Sequence, residues 1–261
     1  MNKCLTSRYS KNFNAGNIQK IFEAGSRYTN IQIDPVLLEI MVRLVKYSRN
    51  YTFNSYKDYD KFMITMRREL QYNVVISKTK LFAHYRALLA DEKITPNRNL
   101  EKFMRIKGAR SRSGVVSVTV FTSGSIMGED DEELLKTGGC PMDCHYCPFE
   151  KDSDGNPTQP RSYLSTEPGN KRATENLHHP FGQTVARLFQ LESIGHLTND
   201  PKKSNKLELI ISGGTFNFYP AEYIQWFSTS VYYACNTYYD VKERFTNFNS
   251  IRHMGTLAEE K

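Results

Sequence analysis

The chain has 261 residues, 39% of them hydrophobic and 24% charged, a composition that allows a packed core and argues against a chain disordered throughout. No apolar run approaches the length of a membrane span, and the first residues lead into no secretory signal, so we expect a cytoplasmic protein with no membrane partner. Five cysteines, three of them within eight residues, do not suit a disulfide framework and favour metal ligation in a reducing compartment.

Positive charge is concentrated in the N-terminal part of the chain. Residues 1–112 contain 22 Lys and Arg against 9 Asp and Glu, whereas residues 113–261 contain 13 against 19. The densest stretch is residues 98–112, where Glu101 is the single acid. This asymmetry suits a region that binds a polyanion, and it equally suits a solvated surface rich in lysine. The cations of the stretch are Arg98, Lys102, Arg105, Lys107, Arg110 and Arg112.

The N-terminal 104 residues are predicted to be mostly helical. Residues 1–30 are polar, and we expect them to be loosely ordered. Asp34-Pro35 is typical of a helix start, and apolar residues then recur at helical spacing. Further helices are predicted over residues 56–70 and 78–89, before a break at Thr95-Pro96-Asn97.

After Gly114 the pattern changes to strands that alternate with helices. Such an order predicts parallel βα units, whose chemistry lies where the strands end. The cysteine cluster follows the first strand and Gly213-Gly214 follows the second, so we expect the two motifs on the same face. The predicted elements are a strand over 115–121, a long loop over 152–168, a helix over 180–196, a strand over 207–211 and a helix over 220–233.

Cys140, Cys144 and Cys147 form a C-x-x-x-C-x-x-C motif, and thiolates are soft ligands that suit iron–sulfur clusters or zinc. Proteins that only carry electrons usually supply four cysteines to a cluster. Three cysteines on one loop would leave one iron of a [4Fe–4S] cluster without a protein ligand, and a catalytic metal needs such an open coordination site. Zinc would need a fourth ligand, but His145 is badly placed and the other candidates are remote. Chance clustering of structural cysteines is a third possibility. The remote candidates are His178, His179 and Cys235.

With an aromatic residue, Tyr146, before its last cysteine, this motif resembles that of the radical S-adenosylmethionine (SAM) superfamily. The resemblance implies that the three cysteines hold a [4Fe–4S] cluster whose open iron binds SAM, which is cleaved to a 5′-deoxyadenosyl radical. It also implies that Tyr146 shields the cluster and that Gly213-Gly214 lets bare backbone approach SAM.

The flanking residues resemble one branch of that superfamily, the catalytic subunits of Elongator. The most specific string is Gly213-Gly214-Thr215-Phe216, and Cys144-His145-Tyr146-Cys147-Pro148 also matches. The resemblance extends over about residues 105–227. It implies modification of the tRNA wobble uridine with acetyl-CoA as donor, a place for Thr215 in the cofactor site, and tRNA binding by the basic region. It further implies that Lys206 contacts acetyl-CoA, although a surface lysine would look the same.

Together these features predict an α/β protein in two parts. Residues 1–104 form a basic, mostly helical region that binds tRNA, and residues 105–261 form a partial radical SAM (βα) barrel. The family's remaining strands and its acetyltransferase domain have no counterpart here, so we expect a truncated or split homologue. Such a chain would turn over poorly alone and would need a second polypeptide or Elongator-like subunits. The alternatives are a radical SAM enzyme of another substrate class and a non-catalytic fragment that binds tRNA.

Overall fold

A computed structural model of the chain describes residues 13–29, 34–74, 76, 78–105, 113–127, 133–135, 137–197 and 205–258. The helices are α1 (Ala15–Thr29), α2 (Pro35–Asn50), α3 (Tyr56–Glu69), α4 (Lys78–Ala90), α5 (Arg98–Met104), α6 (Pro168–Glu175), α7 (Pro180–Ser193) and α8 (Ala221–Ala258). The strands are β1 (Val115–Phe121), β2 (Ile126–Met127), β3 (Glu133–Leu135) and β4 (Lys206–Ser212), and a 3₁₀ turn covers Phe216–Phe218. None of the described helices has the length and apolar character needed to cross a membrane.

The chain divides into two compact units. The helical unit comprises Ala24–Val116 with Gln190–Lys206, and the strand-containing unit comprises Met1–Glu23, Ser117–Phe189 and Leu207–Lys261. The division at residue 104 that the sequence predicts stays a prediction.

The core of the helical unit is formed by apolar faces of α2, α3, α4 and α5. On α2, Ile40 and Met41 lie one turn before Leu44, and all three are fully buried. Tyr85 on α4 and Leu100 on α5 are also fully buried. This is the stripe that residues at i, i+3 and i+4 present to a neighbouring helix. The helices predicted over residues 56–70 and 78–89 are confirmed as α3 and α4.

Helix α2 begins where the sequence predicts, because Asp34 caps it. The Asp34 carboxylate accepts hydrogen bonds from the backbone N–H groups of Val36, at 2.9 Å, and Leu37, at 3.2 Å. It also accepts one from the hydroxyl of Tyr72 at 2.7 Å, and that bond holds the pKa of Asp34 below its usual range. The Asp34 carboxylate thus provides acceptors for backbone N–H groups that the first turn of a helix leaves unpaired.

The predicted break at residues 95–97 is confirmed, and the helix that follows it, α5, was not predicted. The side chain of Asn97 accepts hydrogen bonds from the N–H groups of Asn99 and Leu100, both at 3.1 Å. Its amide also donates to the hydroxyl of Ser48 at 3.1 Å, which attaches the start of α5 to the last turn of α2.

The strand-containing unit is built on the parallel pair β1–β4. Alternate residues of β1 are buried, namely Val116, Val118 and Val120, as the sequence pattern predicts. The buried amide of Gln183 on α7 accepts from the N–H of Phe121 at 2.9 Å and donates to its C=O at 2.8 Å. A side chain of α7 thus replaces a neighbouring strand at the end of β1. The predicted barrel itself stays a prediction.

The elements predicted near β4 are confirmed, with changed bounds. Strand β4 covers Lys206–Ser212, and all of its residues are exposed or half-buried. The predicted helix over 180–196 is α7, which ends at Ser193. The helix predicted over residues 220–233 begins at Ala221 but continues to Ala258, far beyond the predicted end.

One local prediction was wrong, and one short strand pair was not predicted. The stretch 1–30 was expected to be loosely ordered, but its described part contains α1, whose Ile18 and Phe22 are buried. The Phe22 ring packs edge-on against Phe189 of α7 at 5.3 Å between centroids, so apolar contacts order this polar-looking helix. The loop after β1 contains an unpredicted antiparallel pair, β2 and β3, which is too short for alternation to show in the sequence.

Candidate metal centre

The cysteine loop and the Gly-Gly turn after β4, which the sequence predicts to lie on the same face, are in direct contact. The backbone N–H of Thr215 donates to the carbonyl oxygen of Gly139 at 2.7 Å, and its hydroxyl donates to the thiol sulfur of Cys140 at 3.4 Å. The Thr215 hydroxyl, followed by the backbone N–H of Met142, holds the pKa of the Cys140 thiol below its ordinary value. Hydrogen bonds of this kind favour the thiolate, the form that binds metals.

Close approach of the two backbones requires glycine on both sides. A Cβ at Gly214 would collide with the carbonyl oxygen of Gly139, and a Cβ at Gly139 would collide with the hydroxyl of Tyr219. Gly139 also has a φ of 75°, which residues with a side chain rarely adopt. The glycines therefore bring two stretches of chain, about 75 residues apart, within hydrogen-bonding distance.

Behind this contact, a backbone hydrogen bond joins the ends of β1 and β4, and Tyr219 supports the end of β1. The N–H of Thr122 donates to the carbonyl of Ser212 at 2.9 Å, which extends the pairing of the two strands. The hydroxyl of Tyr219 lies 2.7 Å from the hydroxyl of Thr122 and donates to the carbonyl of Ser123 at 2.9 Å. Burial raises the pKa of Tyr219 to about 12, so it stays a neutral donor.

The other two cysteines lie on one tight turn. The N–H of Cys147 donates to the carbonyl of Cys144 at 3.0 Å, and the Cys147 sulfur lies 3.2 Å from the hydroxyl of Ser162. Between them His145 is exposed and the side chain of Tyr146 is 88% exposed. All three thiols of the loop are half-buried and free of disulfides.

Arg161 contacts the cysteine loop on both sides of the motif. Its guanidinium donates to the carbonyl of Thr137 at 3.2 Å and to the carboxylate of Asp143 at 2.8 Å, and it lies 3.9 Å from the ring centroid of Phe149. Its backbone N–H donates to Gly138 at 2.9 Å. The Arg161 side chain is 9% exposed, whereas that of Asp143 is 89% exposed. A largely buried cation thus contacts residues before, within and after the motif.

The donor set fits an iron–sulfur cluster in its chemistry. Three free thiols stand on one loop, and hydroxyls contact the first of them and the last. Thiolates are the protein ligands of iron in such clusters. Within the part of the chain that the structure describes, no three His, Cys, Asp or Glu side chains lie together as a formed metal site.

Burial shifts the pKa of each remote ligand considered for zinc. His179 stacks on the ring of Phe13 at 3.9 Å between centroids, and burial lowers its pKa to about 3. Burial lowers the pKa of His178 to about 4 and raises that of the Cys235 thiol to about 11. A thiol of high pKa is a poor metal ligand at neutral pH, because the thiolate is scarce.

Lys206 lies at the opposite end of β4 from the Gly-Gly turn. It is exposed and begins the strand, whereas Gly213 and Gly214 follow its last residue, Ser212. A strand rises about 3.3 Å per residue, so roughly 20 Å of strand separates Lys206 from the turn. The structure therefore does not bring Lys206 to the cysteine loop through β4.

Three of the six predicted RNA-binding cations can be placed. Arg98 and Lys102 are exposed on α5, one turn apart, and Arg105 pairs with Glu101 at 3.6 Å. The other three, Lys107, Arg110 and Arg112, lie outside the described residues.

No family model matches the chain, but curated proteins do. It is 38% identical over 125 residues to the tRNA uridine(34) acetyltransferase of Methanocaldococcus infernus, an alignment covering 48% of this chain and 20% of the relative. It is 31% identical over 155 residues to Elongator complex protein 3 of Mus musculus, covering 57% and 23%. The human protein of that name is 37% identical over 130 residues, covering 48% and 20%.

The predicted resemblance is confirmed. The matched segment spans about a fifth of the length of each relative. The structure places Thr215 against Cys140, and it adds two contacts of the loop that the sequence did not predict, those of Arg161 and Ser162. No sequence signal identifies those two, because their contacts arise only when a loop folds back on the motif.

Proposed function

We propose that this chain is an iron–sulfur protein of the radical SAM type that takes part in modifying the wobble uridine of tRNA, with acetyl-CoA as donor. The observation that carries the proposal is the pair of hydrogen bonds from Thr215 to Gly139 and Cys140, which places the Gly-Gly turn against the cysteine loop. The names of the relatives, tRNA uridine(34) acetyltransferase and Elongator complex protein 3, support the choice of substrate. A cytoplasmic location and Elongator-like partners fit the same proposal.

Cys140, Cys144 and Cys147 would hold a [4Fe–4S] cluster, one iron of which would have no protein ligand. When bound, such a cluster supplies the site and the electron for cleaving SAM. The chain's own residues then have defined tasks. The Thr215 hydroxyl orients the Cys140 sulfur, and Ser162 does the same for Cys147. The exposed ring of Tyr146 is free to cover the centre, and the lack of side chains at Gly213-Gly214 lets the turn pack directly against Thr122 and Gly139.

A second candidate is a non-catalytic chain that binds tRNA. It is favoured by the exposed cations Arg98 and Lys102, which lie one turn apart on α5. The two candidates differ in what happens to SAM, because only a chain with a working cluster can cleave it reductively.

The test is an anaerobic assay of the chain after reconstitution with iron and sulfide. SAM, dithionite, acetyl-CoA and unmodified tRNA are added, and mass spectrometry measures 5′-deoxyadenosine and the nucleosides of the digested tRNA. We expect 5′-deoxyadenosine from the native chain and none from Cys144→Ala, with Cys235→Ala as the matched control. Bound tRNA without any 5′-deoxyadenosine would reject the enzyme and favour the second candidate. A modified uridine at another position would show a different substrate class.

A further inference from the structure

Three tyrosines of the helical unit, Tyr47, Tyr51 and Tyr56, are exposed. Their exposed fractions are 40%, 40% and 45%. Tyr47 lies in the last turn of α2, Tyr51 directly follows α2, and Tyr56 begins α3. We call these three residues the tyrosine surface. Burial of such rings is favourable, so a cluster of exposed ones indicates a surface that contacts a ligand.

The tyrosine surface has a rigid backing of buried rings. Tyr47 and Tyr51 lie 5.0 Å apart between centroids, and both contact the buried ring of Phe53, at 5.6 and 5.8 Å. Phe53 in turn contacts the buried ring of Phe103 at 5.8 Å, and Phe103 contacts Tyr56 at 5.2 Å. The exposed rings are therefore held in place before any ligand binds, which reduces the entropy lost on binding.

Cations outnumber acids around the tyrosine surface, where Asp58 and Asp60 follow Tyr56 in the first turns of α3. No acid occurs between Glu39 and Asp58, whereas Lys46, Arg49 and Lys57 in that stretch are all exposed. The amino group of Lys78 lies 4.7 Å from the ring centroid of Tyr56. Arg43 does not count toward this charge, because it pairs with Glu39 at 2.7 Å.

Helix α5 adds the predicted RNA-binding cations to the same surface. The hydroxyl of Tyr56 donates to the carbonyl of Lys102 at 3.2 Å, so Lys102 lies beside the tyrosine surface. The bond from Asn97 to Ser48 holds the start of α5, and with it Arg98, against the last turn of α2. The rings and the cations thus belong to one compact unit.

We propose that the tyrosine surface binds unpaired nucleotides of RNA. The rings stack on exposed bases, and the surrounding cations contact the phosphates on either side. Stacking on aromatic rings together with a basic groove is how proteins hold single-stranded nucleic acid, and it needs bases that are not already stacked in a duplex. The inference rests on the proposed function for its RNA, and it names the part of tRNA that binds here as a loop.

The test measures binding of the full chain to a tRNA anticodon-arm hairpin that carries 2-aminopurine in its loop. Stacking quenches the fluorescence of 2-aminopurine, and anisotropy of an end label gives the affinity. The variants are Tyr51→Ala, which removes an exposed ring, and Tyr47→Leu, which keeps apolar packing against Phe53 but removes the stacking face. Tyr232→Ala is the matched control, because Tyr232 is a 63% exposed tyrosine on α8 of the other unit.

We expect each variant of the tyrosine surface to weaken binding by about five- to 100-fold and to lose the quenching, since one base stack is removed. The Tyr232→Ala control should bind and quench as the native chain does. Unchanged affinity and quenching in both variants would overturn the proposal, as would equal affinity for a fully paired duplex. If an acidic peptide displaced the RNA, and if affinity fell equally in the two variants and in the Tyr232→Ala control, the surface would be a general polyanion site, which would also overturn the proposal.

Iron uptake separates this proposal from the proposed function. Tyr51→Ala should take up as much iron as the native chain, because its contacts lie in the helical unit and the cysteines lie in the other. A native chain that takes up iron but binds no hairpin would refute the tyrosine surface and leave the cluster standing. A chain that binds the hairpin through these tyrosines but takes up no iron would refute the cluster and support the tyrosine surface.

Discussion

The hydroxyl of Thr215 donates a hydrogen bond to the sulfur of Cys140 at 3.4 Å. This bond joins the cysteine loop to the Gly-Gly turn after β4, so two motifs far apart in the sequence form one site. Glycines on both sides make the approach possible, since side chains there would collide with backbone or with Tyr219.

The first prediction concerns the close approach at Gly214. Gly214→Ala should lower the free energy of unfolding by about 1–3 kcal/mol, because its new methyl group must push away the Gly139 carbonyl. It should also reduce iron uptake, since the bond from Thr215 is broken. Urea denaturation and iron analysis measure the two effects. Gly16→Ala is the control, because Gly16 is exposed on α1 and an added methyl there meets only the Asn14 side chain. An equal loss in both variants would contradict the account.

The second prediction concerns Arg161. Arg161→Met should speed amide hydrogen exchange in residues 137–149 by about 10- to 100-fold, because hydrogen bonds to a charged group contribute about 1.5–3 kcal/mol. Asp143→Asn is the matched control and should have a much smaller effect, since its carboxylate is 89% exposed. Exchange is followed by mass spectrometry on the metal-free chain. If the loop exchanges at the native rate in Arg161→Met, Arg161 does not hold it.

The third prediction concerns the buried amide of Gln183. Gln183→Leu should lower the free energy of unfolding by about 2–5 kcal/mol, because both backbone groups of Phe121 lose their partner in a buried place. Gln225→Leu, at an exposed position on α8, should change it little. Similar denaturation midpoints for these two variants would show that Phe121 finds other partners.

The fourth prediction is a pH dependence from His179. Burial lowers the pKa of this histidine from 6.5 to about 3, so the folded chain keeps it neutral while the unfolded chain takes up a proton below pH 6.5. The neutral ring therefore costs no stability above pH 6.5. As the pH falls from 6.5 toward 3, proton uptake by the unfolded chain lowers the free energy of unfolding. At pH 5 the loss is about 2 kcal/mol.

His179→Leu should remove that part of the pH dependence, measured by urea denaturation at pH 7 and pH 5. His145→Leu, which changes an exposed histidine, should keep it. An unchanged difference between the two pH values in His179→Leu would mean that this ring is protonated in the folded chain.

The strands and most helices could be predicted because their residues repeat. Valines alternate along β1, and apolar residues recur at helical spacing on α2. Helix α1 is not predictable in this way, because its buried residues Ile18 and Phe22 stand among polar ones. The stability they contribute depends on tertiary contacts such as that of Phe22 with Phe189. Local composition carries no information on such a tertiary contact.

The same limit applies to the site. The spacing of the cysteines is local and was predictable, as was the meeting of the two motifs at the ends of parallel strands. The contacts of Arg161 with Thr137, Asp143 and Phe149 depend on how an irregular loop folds back. Loops have no period, so no sequence pattern predicts which residue will reach the motif.

Iron content of the reconstituted cysteine variants is the most direct test of the central claim, that the loop holds one cluster. We predict about four irons per native chain and most of that iron lost in Cys140→Ala, Cys144→Ala and Cys147→Ala, because each thiolate binds one iron. Cys235→Ala should keep the native content, since this thiol lies on α8 and burial raises its pKa to about 11. Iron retained in Cys144→Ala, or lost in Cys235→Ala, would contradict the account.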